Sequence, residues 1–234
     1  MKTTKIMKLA CTGMLLSCLP AQADWSSTVT VASDYMFNGV SQTRNDPALQ
    51  ASLDYAANQG IYLGAWTSNV DFGGETEQEL DFYAGQFRQL SEAWTLDYGI
   101  AYYTYLGDSS SSDFNYPEVW AKFGYTWDWG VTEFNGWYSW DYFGYGGSHV
   151  IGMLAHTFTL AENHAIRINV DTSNSLDGDR WLWNGNEKSY VHYRIAYQTS
   201  WKGFQFELAA EDTTLDRNTA DERIVASVSR TFSF

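Results

Sequence analysis

Beyond residue 23 the chain shows neither a sustained helical period nor an apolar run of spanning length. Instead, apolar and polar positions alternate in segments of about ten residues, the length of a tilted strand crossing a bilayer. Twelve such segments are predicted: 27–38, 48–57, 61–71, 78–89, 94–106, 116–127, 131–142, 149–160, 165–174, 189–201, 204–215 and 222–234. Several sort cleanly into two faces. Val119, Ala121, Phe123, Tyr125 and Trp127 point one way, and Glu118, Trp120, Lys122, Gly124 and Thr126 the other. Val191, Tyr193, Ile195 and Tyr197 oppose His192, Arg194, Ala196 and Gln198 in the same manner, and Phe204, Phe206 and Leu208 oppose Gln205 and Glu207. The eighth segment, around Ile151 to His156, leaves its register open.

The connections between segments alternate as well. After even-numbered segments they are tight: Asn58-Gln59-Gly60, Ser91-Glu92-Ala93, Asp128-Trp129-Gly130, Ala161-Glu162-Asn163-His164 and Lys202-Gly203. After odd-numbered segments they are longer, at 39–47, 72–77, 107–115, 143–148, 175–188 and 216–221. Short periplasmic turns alternating with long external loops mark an antiparallel transmembrane β-barrel of twelve strands, both termini periplasmic. A soluble sandwich or lipocalin-like barrel is the competing fold, but it has no reason to sort its loops by parity.

This direction places Trp25, Tyr55, Tyr62, Trp94, Trp127, Trp129, Phe158, Trp201 and Phe204 in a periplasmic aromatic girdle. Tyr35, Phe37, Tyr116, Tyr142, Phe143 and Tyr190 are expected to form the external one. Pro47 and Pro117 fall at strand starts, where a missing ladder donor costs least. Arg230 falls on the outward parity, as a bulge or a side chain snorkelling to the interface would.

The amino end reads as a secretory signal: Lys2, Lys5 and Lys8, an apolar stretch from Leu9 to Leu19, then Ala21-Gln22-Ala23, with cleavage expected after Ala23. The stretch is too short for a membrane helix, which needs roughly 20 residues. Leu15-Leu16-Ser17-Cys18 leaves a lipoprotein signal open. Residues 24–234 then form a single domain with no thiol, since Cys11 and Cys18 both lie in the signal. Disulfides, thiolate metal sites and cysteine nucleophiles are thereby excluded from the exported part. That part carries 11 Lys and Arg against 28 Asp and Glu, a net charge of −17, which excludes a phosphate-binding surface and so nucleic acid. Aromatics at 17% with a mean hydropathy of −0.35 suit a barrel that is greasy outside and wet inside.

Inward parity selects the expected pore lining: Asp34, Asp54, Trp66, Glu79, Asp81, Asp97, Glu118, Trp120, Lys122, Glu133, Trp137, Arg167, Arg194, Glu207 and Arg223. With Asp141, Asp171 and Glu211 added, the lumen holds eleven acids against four bases, a field that concentrates cations. Inward rings at Trp66, Tyr83, Tyr103, Trp120 and Trp137 offer faces to an organic cation.

The first hairpin, Val29-Thr30-Val31-Ala32-Ser33-Asp34-Tyr35-Met36-Phe37-Asn38-Gly39-Val40-Ser41-Gln42-Thr43 followed by Pro47-Ala48-Leu49-Gln50-Ala51-Ser52-Leu53-Asp54-Tyr55, resembles the TorF-type porin family. Gly60-Ile61-Tyr62-Leu63-Gly64-Ala65-Trp66, Ser68-Asn69-Val70, Glu79-Leu80-Asp81-Phe82-Tyr83-Ala84-Gly85 and Tyr116-Pro117-Glu118-Val119 continue the resemblance, which fades in the second half. It implies an outer-membrane channel without a settled substrate, and its name hints at trimethylamine N-oxide respiration. Members commonly carry arginine where this chain has Asn38, so permeation here is expected to differ if that arginine guards the pore. The partners expected are outer-membrane lipids and lipopolysaccharide, small solutes, and the barrel-assembly machinery, recognised through the final strand ending in Phe234; no cofactor is expected.

Three other chemistries are open to test. Asp34 with Ser41-Gln42-Thr43 reads as a ligand site at the mouth or, more simply, as a lumen carboxylate beside a hairpin turn. His149, His156, His164 and His192 match no common metal-ligand spacing. A lipase-like barrel enzyme lacks the G-x-S-x-G elbow, Gly39-Val40-Ser41-Gln42 ending without its second glycine, and Glu79 with Asp81 shares a face as an acid/base pair would. A structural or adhesin barrel would want longer external loops than the 175–188 segment with Trp181 and Trp183.

Overall fold

A computed structural model describes residues 24–234; the signal segment, its cleavage after Ala23 and Cys18 lie outside the described residues. The chain closes into a twelve-stranded antiparallel barrel. Its staves are β1 (Asp24–Ala32), β4 (Ala48–Ala56), β5 (Ile61–Asn69), β6 (Gln78–Gln89), β7 (Trp94–Leu106), β8 (Tyr116–Trp127), β9 (Gly130–Ser139), β10 (His149–Ala161), β11 (His164–Ser175), β12 (Ser189–Trp201), β13 (Phe204–Thr213) and β14 (Arg223–Ser233). Two further pieces, β2 (Met36–Phe37) and β3 (Val40–Ser41), form a small separate hairpin. Closure comes from β1, which pairs β4 on one side and β14 on the other, with Val29 opposite Arg230. A closed sheet leaves no unpaired edge, the condition for placing strands in hydrocarbon.

The two-residue period is what makes these segments staves. Leu63, Phe82, Ile100, Phe123, Phe134, Leu154, Ile195 and Leu208 are all between 41% and 52% exposed, an apolar exterior that no soluble core would tolerate. The alternate positions are buried and polar, among them Ser52, Glu79, Asp81, Glu118, Asn135, Asp171 and His192. In β10 the open register resolves with Ile151, Ala155 and Thr157 buried and Leu154 exposed. Short turns are built by residues that accept a left-handed backbone: Lys202 and Gly203, at φ 50° and 83°, form the two-residue turn between β12 and β13.

Three expectations are corrected. The first segment does not run to residue 38: β1 stops at Ala32, and Asn38-Gly39, with φ 48° and 78°, turns the chain back through the β2–β3 hairpin. The proposed external girdle is not on the exterior. Tyr116, Tyr142 and Tyr190 are at most 3% exposed and, with Tyr35, Phe37 and Phe143, form a cluster inside the barrel mouth. Tyr116 and Tyr190 share parity with Glu118 and His192, so strand geometry turns them inward. Exposed rings near the long-loop ends are Tyr102, Tyr138 and Trp140 instead. At the other end Trp25, Trp94, Trp127, Trp129 and Trp201 are exposed, but Tyr62 is buried, its hydroxyl donating to Asp97.

Arg230 does lie outward, its guanidinium 4.9 Å from the Phe204 ring and 5.1 Å from Phe232.

Candidate functional site: the barrel interior

The β1–β4 connection does not stand over the barrel but crosses its mouth. On one side Tyr35 packs edge-on against Trp66 of β5, with centroids 5.2 Å apart, and Phe37 against Tyr103 of β7 at 6.4 Å. On the other, the Tyr190 hydroxyl of β12 donates to the Asn38 carbonyl at 2.9 Å. Gly39 abuts Thr213 of β13 and His192 of β12 so closely that a Cβ would meet them at 2.4 and 2.5 Å. β7 and β13 stand opposite each other in the ring of staves. The hairpin is therefore a septum. Asp34 anchors it, accepting from Arg223 of β14 at 2.8 Å, from Ser41 Oγ at 2.6 Å and from Thr43 Oγ1 at 2.9 Å. This geometry matches the simpler reading of the motif, a lumen carboxylate beside a hairpin turn, with Ser41 and Thr43 as turn groups tied to Asp34.

Cavities lie on both sides of the septum. A chamber of about 370 Å³ is lined by Asp34, Tyr35, Met36 and Asn38 together with Trp66, Arg167, Arg194 and Glu207. A vestibule of about 640 Å³ is lined by Phe37, Val40 and Arg44 of the same segment and by rings from the remaining long loops.

The interior walls differ in charge pairing. Along β9–β14 each inward arginine has a carboxylate: Arg167 pairs with Glu133, Arg194 with Glu207 at 2.5 Å and Glu211 at 3.6 Å, and Arg223 with Asp34. His192 is held between Asp171 at 2.8 Å and Glu211 at 3.0 Å. Register makes this possible, because Asp171 and His192 are cross-strand partners, as are Arg194 and Glu211. Along β4–β8 the carboxylates instead take hydrogen bonds from neutral aromatics. Asp54 accepts from Tyr83, Asp97 from Tyr62 at 2.7 Å and Trp120 Nε1 at 2.6 Å, Glu118 from Tyr103 at 2.9 Å, and Glu79 from Tyr105 at 3.0 Å. Asp81 lies beside Trp66 and Tyr103 across the ladder, with one carboxylate oxygen unpartnered. Lys122 is this wall's one base; its ammonium sits 5.4 Å from the Trp120 ring and 5.5 Å from Trp137, with no carboxylate in ion-pair contact among the described residues.

The residues expected to line a pore fall on the inward parity, where most of them contact side chains of nearby staves or of the β1–β4 segment, on two chemically different walls. Asp141 is not among the staves: it follows β9 and caps the Gly146 amide at 2.7 Å. The septum residues around Gly39, the His192 sandwich, and the vestibule residues Phe72, Trp181 and Arg217 are additions that parity alone does not identify.

Catalytic and metal arrangements fare differently. Both nitrogens of His192 face carboxylates, leaving neither free to take a proton from a nucleophile. His149 stacks on Tyr142 at 3.9 Å with neither nitrogen hydrogen-bonded, His156 bonds Thr132 and His164 bonds Tyr197. No histidine–serine hydrogen bond occurs among the described residues, nor does any group of three potential metal ligands.

Residues 20–234 match the model of a family described as a bacterial protein of unknown function, Gcw_chp. No curated protein matches. Among solved structures the barrel is similar to an outer-membrane channel from Pseudomonas putida F1, with TM-score 0.60, 10% identity, and 97% of this chain against 100% of that one. It is also similar to the KdgM porin (0.56, 9%, 89% and 99%) and the NanC porin (0.55, 8%, 90% and 99%). At such identities the likeness establishes the fold.

Proposed function

From the chain's membership of the Gcw_chp family and the geometry of its interior, we propose a porin-like outer-membrane channel for passive diffusion of small cationic or zwitterionic solutes. The carrying observation is the wall of β4–β8. Five carboxylates there, Asp54, Glu79, Asp81, Asp97 and Glu118, lack any ion-paired base among the described residues, whereas the opposite wall neutralises itself. Low-dielectric walls focus the uncompensated field, so cations gather along β4–β8. Trp66 on the same wall lines the chamber and offers a ring to an organic cation at about 0.5–2 kcal/mol per contact.

This reading keeps the TorF-type resemblance, the cleaved signal, the periplasmic termini, and partners in outer-membrane lipid, lipopolysaccharide and the assembly machinery. The apolar exterior and tight turns at one end support the location and direction. A lipase-like alternative gains no support from His192, whose two ring nitrogens both face carboxylates. Swelling of liposomes carrying the purified protein tests the proposal: glycine betaine and arginine should enter faster than gluconate, and faster entry of gluconate contradicts it.

A further inference from the structure

We propose that the outer vestibule is a capture site for zwitterionic solutes bearing a planar ring, of the aromatic amino-acid class; this rests on the channel reading above for the solute's onward passage. The long connections converge on one cavity of about 640 Å³, whose floor is Phe37 of the septum. Its walls are aromatic and mutually braced. Phe72 meets Phe143 at 6.1 Å, Tyr142 meets Trp181 at 5.0 Å, and Trp181 stands perpendicular to Trp183 at 4.8 Å. Such walls favour a flat apolar face in edge-on or offset packing.

Two observations add a carboxylate to that ring. Arg217 lies in the lining with its guanidinium 5.5 Å from the Trp183 ring, and no carboxylate pairs with it among the described residues. In a chain this acidic, an arginine left unpaired at a cavity is a ready partner for a solute's anionic group, which guanidinium binds through two parallel N–H donors. The indole N–H groups of Trp181 and Trp183, buried in the same wall, have no acceptor among the described residues, and a carboxylate reaching them would need those rings to shift. The positive part of the solute follows from what lies below. On the channel reading, the summed field of the β4–β8 carboxylates disfavours a free anion beyond the septum and attracts an ammonium. A ring and a carboxylate suit the vestibule; the ammonium suits the path.

The test uses the full exported chain in detergent micelles, with L-phenylalanine, phenylpropionate and glycine as probes in titration calorimetry. Phenylalanine and phenylpropionate should both bind, at least about tenfold more tightly than ringless glycine. Arg217→Gln, a loop change that leaves the staves untouched, should weaken both about tenfold, and Arg217→Lys should recover part of the loss. Trp181→Leu should weaken phenylalanine while leaving heat-modifiable migration intact. Glycine binding as tightly as phenylalanine, or unchanged phenylalanine affinity in Arg217→Gln, overturns the capture site even where the channel proves cation-selective. In swelling assays phenylalanine should pass and phenylpropionate lag; equal passage overturns the acidic path while the calorimetric result stands.

Discussion

Gly39→Ala is expected to unseat the septum and enlarge the conductance of an otherwise intact barrel. The new Cβ would sit 2.4 Å from Thr213 Cγ2 and 2.5 Å from His192 Cδ2, on a residue whose φ is 78°. A left-handed backbone with a side chain costs about 1–2 kcal/mol, and overpacking of this kind about 1–3 kcal/mol more. Against that, the septum is held on this side by the Tyr190–Asn38 and Ser41–Thr219 hydrogen bonds and by the Asp34–Arg223 pair. The first two contribute about 0.5–1.5 kcal/mol each and the charged one about 1.5–3 kcal/mol. Perturbation and restraint are of the same size, so a large fraction of molecules should release the hairpin and join chamber to vestibule. Single-channel recording in planar bilayers should then show larger steps than wild type. Gly185→Ala is the control: its φ is 80° but nothing lies within 4 Å of its Cβ position, so it shares the backbone strain and leaves the septum seated. Wild-type conductance in a Gly39→Ala protein that still shows heat-modifiable migration would refute the septum.

Phe123, 41% exposed on the outer face, and Lys122, inside beside Trp120 and Trp137, test the faces of β8. Phe123→Arg should cost about 2–4 kcal/mol and impair refolding, whereas Lys122→Gln should be mild; the reverse order would reverse the strand's register. Cysteines placed at Ser110 and Lys202 should label oppositely with an impermeant reagent on intact cells, and equal labelling would contradict the transmembrane topology. Asp81→Asn combined with Asp97→Asn should reduce cation preference, more at 0.01 M salt than at 1 M, because screening shortens from roughly 30 Å to 3 Å.

The staves were legible because a strand's side chains change face at every residue, so β7 and β8 coincide with the alternating runs at 94–106 and 116–127. The septum was half legible. Asn38-Gly39 is a strong hairpin signal, but the rough alternation from Val29 through Phe37 runs up to it and hides the end of β1 at Ala32. Tyr116 and Tyr190 could be placed inside by parity, yet their position near strand ends equally suits an interfacial girdle. The vestibule depends on Phe72, Phe143 and Trp181 meeting from separate loops, a non-local packing that no local pattern encodes. The same holds for His192, whose carboxylates come from the neighbouring strands and are matched by register alone.

A reversal potential measured across a salt gradient on purified wild-type protein in a planar bilayer tests the central claim most directly. The uncompensated carboxylates of β4–β8 predict discrete conductance steps whose reversal potential carries the sign of cation preference, strongest at low salt. A reversal potential of the anion-preferring sign, or a membrane that stays silent with folded protein inserted, would contradict it.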